Sequence, residues 1–189
     1  MAISTSYHHK QVNLKELDPE LIGGLWPGIQ LYYPPVKYAP SLGIYEDLEA
    51  ASKRMKKHAH ETEAHTLIFD LEDGCRQKEM SRDLLEKELP GLRKARPDVT
   101  IAIRVNSFRT KEYFKDIDLI KKLPNCVDVV MLSKAGEVYG AAEILNLSSE
   151  LIDLNPKITI QPIIEHPKDR KSTRLNSSHS SVSRMPSSA

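Results

Sequence analysis

The chain has little of several things that would place it in a specialised class. Only two of its 189 residues are cysteines, Cys75 and Cys126, and their spacing fits no metal-ligand motif. So few cysteines suit a reducing compartment. Basic and acidic residues nearly cancel, 27 against 26, so the net charge does not indicate a nucleic-acid or membrane-surface partner.

Long apolar runs are also missing. No stretch approaches the roughly 18–20 apolar residues that a membrane span needs. Residues 1–21 contain acids and no apolar core, so they resemble neither a secretory signal nor a mitochondrial presequence. We therefore expect a soluble, cytoplasmic protein with no nucleic-acid partner and no membrane partner. We also expect residues 1–25 to form a loosely ordered leader before the folded domain.

What is present is an alternation of short apolar runs with longer segments of helical spacing. The runs are rich in Val, Ile and Tyr, which predicts strands. Strand alternating with helix is typical of right-handed βαβ units and a parallel sheet. The predicted strands are IQLYY at 29–33, TLIFD at 66–70, TIAIRV at 100–105, VDVVML at 127–132 and ITIQPII at 158–164.

Four predicted helices separate these strands. Their apolar residues recur at helical spacing, and a Pro-Gly pair at 90–91 is predicted to stop the second helix. The helical segments are 45–61, 78–92, 112–124 and 137–156, with core stripes Leu48, Ala51 and Met55, then Met80, Leu84 and Leu85, then Phe114, Ile117 and Ile120.

Ionisable side chains follow the predicted strands at their carboxyl ends, where parallel α/β folds collect their chemistry. The run TLIFDLEDG passes from a buried strand directly into three acids. The residues at the strand ends are Lys37, then Asp70, Glu72 and Asp73, then Arg104 and Asn106, then Ser133 and Lys134, then Glu165 and His166.

The DLEDG segment also has a purely structural interpretation. It could be a strand-to-loop turn in which Asp70 caps the next helix and Gly74 supplies a residue with φ > 0. Arg104 could likewise be only a structural ion-pair partner of Glu72 or Asp73.

Residues 169–189 differ sharply in composition from the rest of the chain. They are rich in serine and have almost no apolar periodicity, which predicts disorder. The strings DRKSTRLNSSH and SRMPSSA resemble, in order, the translation of a sequencing adapter. That resemblance implies an artefactual tail after about Lys168, whereas the alternative is a genuine Ser-rich tail.

The ordered set LYYPPVK, IFDLEDG, IRVN, VMLSK and IIEHP resembles the citrate lyase beta-subunit and HpcH-HpaI aldolase family, which includes malyl-CoA and citramalyl-CoA lyases. The resemblance covers roughly residues 29–167. It implies a (β/α)₈ TIM barrel, of which residues 26–168 would form about the first five strands. It also implies a trimeric or hexameric parent protein.

The resemblance implies a carbon–carbon lyase or aldolase that uses Mg²⁺ or another divalent cation. The substrate would be a 3-hydroxyacyl-CoA-like thioester or a related oxo-acid adduct. Carried over to this chain, Arg104 would hold the oxo-acid carboxylate, and Glu72 and Asp73 would line the site. Lys37 and Lys134 would contact substrate, although both could equally be solvated, and Glu165 would be a metal ligand unless it is an exposed strand-end acid.

The chain departs from the family pattern at several positions. Pro35 stands where the family prefers glycine, Ser133 replaces a proline, and His166 replaces a threonine. The family's second metal-binding aspartate and its catalytic acid have no counterpart in this chain. We therefore expect this 189-residue chain itself to be inactive. A barrel that stops after five strands also leaves the apolar edges of its first and fifth strands open, so we expect the chain to be poorly soluble.

Two alternatives remain open at this stage. The fold could be an open doubly wound sheet, although no Gly-rich phosphate motif follows the first strand. The function could be that of a non-catalytic barrel that binds or scaffolds, and the departures at Pro35, Ser133 and His166 favour it.

Overall fold

The computed structural model describes residues 28–39, 43–135 and 140–163. The predicted leader, the Ser-rich tail, Glu165 and His166 lie outside the described residues. The elements in chain order are β1 (Gln30–Tyr33), β2 (Tyr38–Ala39), β3 (Ile44–Tyr45), α1 (Leu48–Glu61), β4 (Thr66–Asp70), α2 (Lys78–Ala95), β5 (Thr100–Val105), α3 (Lys111–Lys122), β6 (Val129–Leu132), α4 (Ala141–Leu154) and β7 (Thr159–Pro162).

Five strands form one parallel sheet in the order β1-β4-β5-β6-β7. This confirms the predicted α/β class, the five predicted strands and the pairing of the second with the third. The order follows the chain without reversal, whereas a doubly wound sheet reverses at a switch point. The doubly wound alternative is therefore wrong for the described part of the chain.

The four helices in the described ranges pack on one face of this sheet. One large buried cluster contains Phe69, Ile103 and Leu132 from the strands together with buried residues of all four helices. The side chains that alternate with these form a separate buried cluster of Ile68, Ala102, Val129 and Met131. The sheet thus has a helix-covered face and a second, smaller apolar face.

Local capping explains where two of the helices begin. The Asp47 carboxylate accepts a hydrogen bond from the backbone N–H of Ala50 at 2.7 Å and caps α1. The Thr110 hydroxyl accepts one from the N–H of Tyr113 at 3.3 Å and caps α3. Both helices start within a few residues of their predicted boundaries.

The predicted stop of the second helix is wrong, because α2 continues through Pro90 and Gly91 to Ala95. Leu89 and Leu92 are buried on either side of the proline. Arg93, one turn later, donates hydrogen bonds to the carbonyls of Val99 at 2.8 Å and Cys126 at 3.2 Å. These tertiary contacts override the local preference of proline and glycine for a helix end.

The predicted burial of two helix residues is also wrong. Phe114 is 59% exposed and Leu48 is 43% exposed. The other residues of their stripes are buried: Ala51, Met55, Ile117 and Ile120. In α3 the neighbouring Tyr113 takes the inward position and is buried instead.

The antiparallel ribbon of β2 and β3 was not predicted. Its strands have two residues each, too few for an alternating pattern to be visible in sequence. The Tyr38 and Tyr45 rings pack at a centroid distance of 5.1 Å. Among the described residues, no helix is long and apolar enough to cross a membrane.

Candidate functional site

The turn after β4 is closed by the Asp70 side chain. One oxygen of its carboxylate accepts from the N–H of Glu72 at 2.9 Å, and the other accepts from the N–H of Gly74 at 3.3 Å. A Cβ on Gly74 would lie 2.8 Å from Asp70 Oδ2, so any other residue there would have to displace the Asp70 carboxylate.

DLEDG does form a strand-to-loop turn, as the structural interpretation had it, but two details of that interpretation are wrong. Asp70 closes its own turn and does not cap α2, because the N-cap of that helix is Gln77, which makes no side-chain capping bond. The glycines with positive φ in the described part of the chain are Gly28 and Gly43, not Gly74.

Arg104 is the centre of an ionic cluster at the carboxyl ends of β4 and β5. It is the register partner of Asp70, so the two side chains project to the same face. Its Nη1 lies 3.3 Å from Asp70 Oδ2, and its Nη2 lies 3.5 Å from Asp73 Oδ2 and in short contact with Glu72 Oε2. The structure thus brings together the three residues that the sequence singled out for catalysis.

Lys134 joins the cluster from the end of β6. Its Nζ lies 3.2 Å from Glu72 Oε1, so Glu72 contacts both cations. Lys134 has φ 56°, a left-handed backbone conformation that a lysine adopts at a cost of about 1–2 kcal/mol. We call Asp70, Glu72, Asp73, Arg104 and Lys134 the rim cluster.

Ser133, next to Lys134, is fully buried. Its hydroxyl has no hydrogen-bond partner among the described residues. A buried hydroxyl in this state costs about 1–3 kcal/mol unless water or a ligand supplies the bond.

Lys37, another predicted site residue, is not brought to the rim cluster. Lys37 is exposed in the turn after β1, where its N–H donates to Glu46 Oε2 at 3.1 Å and its carbonyl accepts from the N–H of Glu46 at 3.0 Å. None of its contacts within the described ranges reaches the cluster. Glu165 lies outside the described residues.

Sequence reasoning missed a buried polar network behind the rim cluster. Asn106 donates to the Leu71 carbonyl at 2.8 Å and, from its side chain and backbone, to Asp116 Oδ2 at 2.7 and 2.8 Å. Arg82 Nη1 donates to Asp116 Oδ1 at 2.8 Å. One feature of the sequence could have indicated this network: Asp116 is an acid directly beside Ile117, which lies on the apolar stripe of α3.

Burial raises the pKa of two groups near the site. It raises the pKa of Asp116, although hydrogen bonds from Asn106 and Arg82 act against that rise. It also raises the pKa of the Cys75 thiol, which lies 3.1 Å from the Ser81 hydroxyl. A thiol held protonated is a poor nucleophile, so Cys75 is a core residue.

The described residues do not fit a magnesium centre. No group of three or more His, Cys, Asp or Glu side chains that could hold a metal occurs in the described part of the chain. The oxygens of Glu72 face two cations and those of Asp70 face backbone N–H groups and Arg104, whereas Mg²⁺ requires near-octahedral oxygen coordination.

No protein-family model matches the chain, and no curated protein matches it either.

Proposed function

We propose that this sheet is part of a (β/α)₈ barrel whose carboxyl rim makes or cleaves a carbon–carbon bond beside a carbonyl. The unreversed strand order and the packing of all four helices on one face support the barrel. The family resemblance of the sequence supplies the reaction and the substrate class, an oxo-acid adduct such as a 3-hydroxyacyl-CoA-like thioester. The activity is proposed for the whole parent protein, not for this chain alone.

The observation that carries the proposal is the placement of Arg104. It stands at the carboxyl end of the central strand, on the face opposite the four described helices, with only 12% of its side chain exposed. Guanidinium groups bind carboxylates through charge-assisted hydrogen bonds, and partial burial strengthens them. An incoming carboxylate must displace an acid of the chain, because both terminal nitrogens of Arg104 already contact one.

The carboxylates around Arg104 differ in how readily a substrate could replace them. Glu72 is buried, with 6% of its side chain exposed, and contacts both Arg104 and Lys134. Asp73 has 69% of its side chain exposed and lies farthest from the guanidinium. In our proposal the carboxylate of the oxo-acid takes the place of Asp73, while Glu72 and Asp70 keep Arg104 in position.

No step is assigned to a metal. The Mg²⁺ ion that the family resemblance implies would draw on residues outside the described ranges, Glu165 among them. It would supply a Lewis acid for the substrate carbonyl. The described residues bind and orient the oxo-acid.

A non-catalytic barrel is the competing proposal, and one observation favours it. Arg104 is already neutralised by carboxylates of its own chain, as expected of a cluster whose role is to hold strand ends together. The two proposals differ in whether an external carboxylate can compete for the guanidinium.

Calorimetric titration of glyoxylate and pyruvate into the 189-residue chain, with and without Mg²⁺, separates the two. We expect saturable binding that Arg104→Lys weakens at least about tenfold, since lysine keeps the charge but loses the two-pronged geometry. Arg93→Lys is the matched control, because Arg93 pairs with Asp128 at the opposite end of the sheet. A folded chain that binds neither acid would favour the non-catalytic barrel.

A further inference from the structure

Lys78 is the first residue of α2 and makes no contact with solvent-facing acids in the described structure. Its Nζ donates to the carbonyls of Leu71 at 2.7 Å and Glu72 at 2.8 Å, and to Asn106 Oδ1 at 2.6 Å. An ammonium has three donors, and here each meets one acceptor.

The position of this lysine runs against the usual preference of helices. A cation in the first turn faces the positive end of the helix dipole, where acids are favoured. The N-cap residue Gln77 makes no side-chain capping bond that would offset this cost. A residue that breaks a local rule in a well-packed protein marks a site where another requirement dominates.

That requirement is the position of the turn that carries Glu72. The Glu72 carbonyl is held by Lys78, and its N–H is held by Asp70 Oδ1 at 2.9 Å. Both peptide groups of Glu72 are therefore fixed. Its side chain can then reach Arg104 on one side and Lys134 on the other.

Asn106 connects the same lysine to the strand that carries Arg104. It follows β5 directly, it accepts from Lys78, and its amide donates to Asp116 and to the Leu71 carbonyl. Lys78 thus ties the ends of β4 and β5 to each other and to α2.

We propose that Lys78 is the positioning residue of the rim cluster: it fixes the turn after β4 so that Glu72 holds Arg104 in the orientation that receives a carboxylate. Only the receipt of a carboxylate by Arg104 rests on the proposed function; the positioning of Arg104 through Glu72 does not. Lys78 acts through Glu72 and touches no substrate.

The test is a nitrogen-15 NMR spectrum of the arginine guanidinium groups in the full chain, recorded without any oxo-acid. A guanidinium held by several carboxylates rotates slowly and gives separate N–H resonances, and Arg104→Lys identifies those of Arg104. We expect Lys78→Met to merge the Arg104 resonances. Lys122→Met should leave them separate, because Lys122 joins α3 to Glu86 of α2 at 2.8 Å on the exposed surface.

Separate Arg104 resonances in folded Lys78→Met would overturn the proposal. If that variant does not fold, Lys78→Gln takes its place, since the amide can still donate to a carbonyl but lacks the charge and the third donor. Merged resonances in Lys78→Gln support the proposal, and unchanged ones contradict it. If the lysine controls Arg104 but glyoxylate does not bind, the proposed function fails and the positioning role stands.

Discussion

Glu72 and Asp73 are adjacent acids that hold the same guanidinium in different surroundings. The Glu72 carboxylate is buried between two cations, while most of the Asp73 side chain is in solvent. Removing one partner of a buried pair leaves a charge uncompensated, whereas exposed pairs are screened by water.

We therefore expect unequal losses of stability from two matched substitutions. Glu72→Gln should lower the free energy of unfolding by about 3–5 kcal/mol, and Asp73→Asn should change it by less than about 1 kcal/mol. Urea denaturation of both variants measures the difference. Equal losses would mean that Glu72 is not the buried anchor of Arg104.

Asp73→Asn should also tighten the binding of glyoxylate, by roughly two- to fivefold, because it removes the carboxylate with which the ligand competes. Calorimetric titration of the variant beside the unmodified chain checks this. Weaker binding by the variant would show that Asp73 assists the ligand and is not replaced by it.

For individual residues, the sequence predicted correctly several of the side chains that meet at the ends of the strands. Arg104, Glu72, Asp73 and Lys134 could be expected to converge because the carboxyl ends of parallel strands share one edge. The role of Lys78 could not be predicted, because its acceptors are backbone carbonyls and a side-chain amide whose convergence depends on how α2 enters the sheet.

At the scale of elements, α2 carries a proline and a glycine in its interior. Both residues are exposed, and the space around the missing Cβ of Gly91 is open. Sequence patterns placed the helix end here because proline and glycine are poor helix formers, but buried Leu92 and the hydrogen bonds of Arg93 extend the helix.

Substituting either residue should therefore stabilise the protein. Pro90→Ala is expected to raise the free energy of unfolding by about 1–3 kcal/mol and Gly91→Ala by about 0.5–1 kcal/mol. Thermal and urea denaturation measure both. A loss of stability from Pro90→Ala would indicate that α2 needs the proline to pack against its neighbours.

The contact between α1 and α2 contains an acid whose charge stabilises the fold. Glu88 accepts from the Ser52 hydroxyl at 2.7 Å and pairs with Lys56 at 2.9 Å. Burial acts to raise the pKa of Glu88, but the bonds from Lys56 and Ser52 outweigh it and leave the pKa below its ordinary value of 4.5.

A lowered pKa in the folded state means that Glu88 contributes stability above pH 4.5, and that this contribution is lost as the pH falls through the folded-state pKa. The stability gap between the unmodified chain and Glu88→Gln should therefore be widest at neutral pH and narrow toward about pH 3. Urea denaturation across this range measures the gap. A gap independent of pH would contradict the assignment.

At the scale of the whole molecule, the sequence predicted the parallel sheet and its five strands because each apolar run is long enough to show its character. It did not distinguish how the two faces are covered, since near-continuous apolar strands are expected in any parallel sheet with both faces buried. The structure shows how the faces are covered: the four described helices pack against one face of the sheet, and Arg104 lies on the opposite face.

The most direct test of this account is a titration of glyoxylate into the 189-residue chain, followed through the guanidinium resonances of its arginines. The account predicts that the Arg104 resonances shift and reach saturation while those of Arg93, at the opposite end of the sheet, stay in place. If the Arg104 resonances stay in place, or move only as far as those of Arg93, then Arg104 of this chain does not receive an external carboxylate, and the observation that carries the proposed function is contradicted.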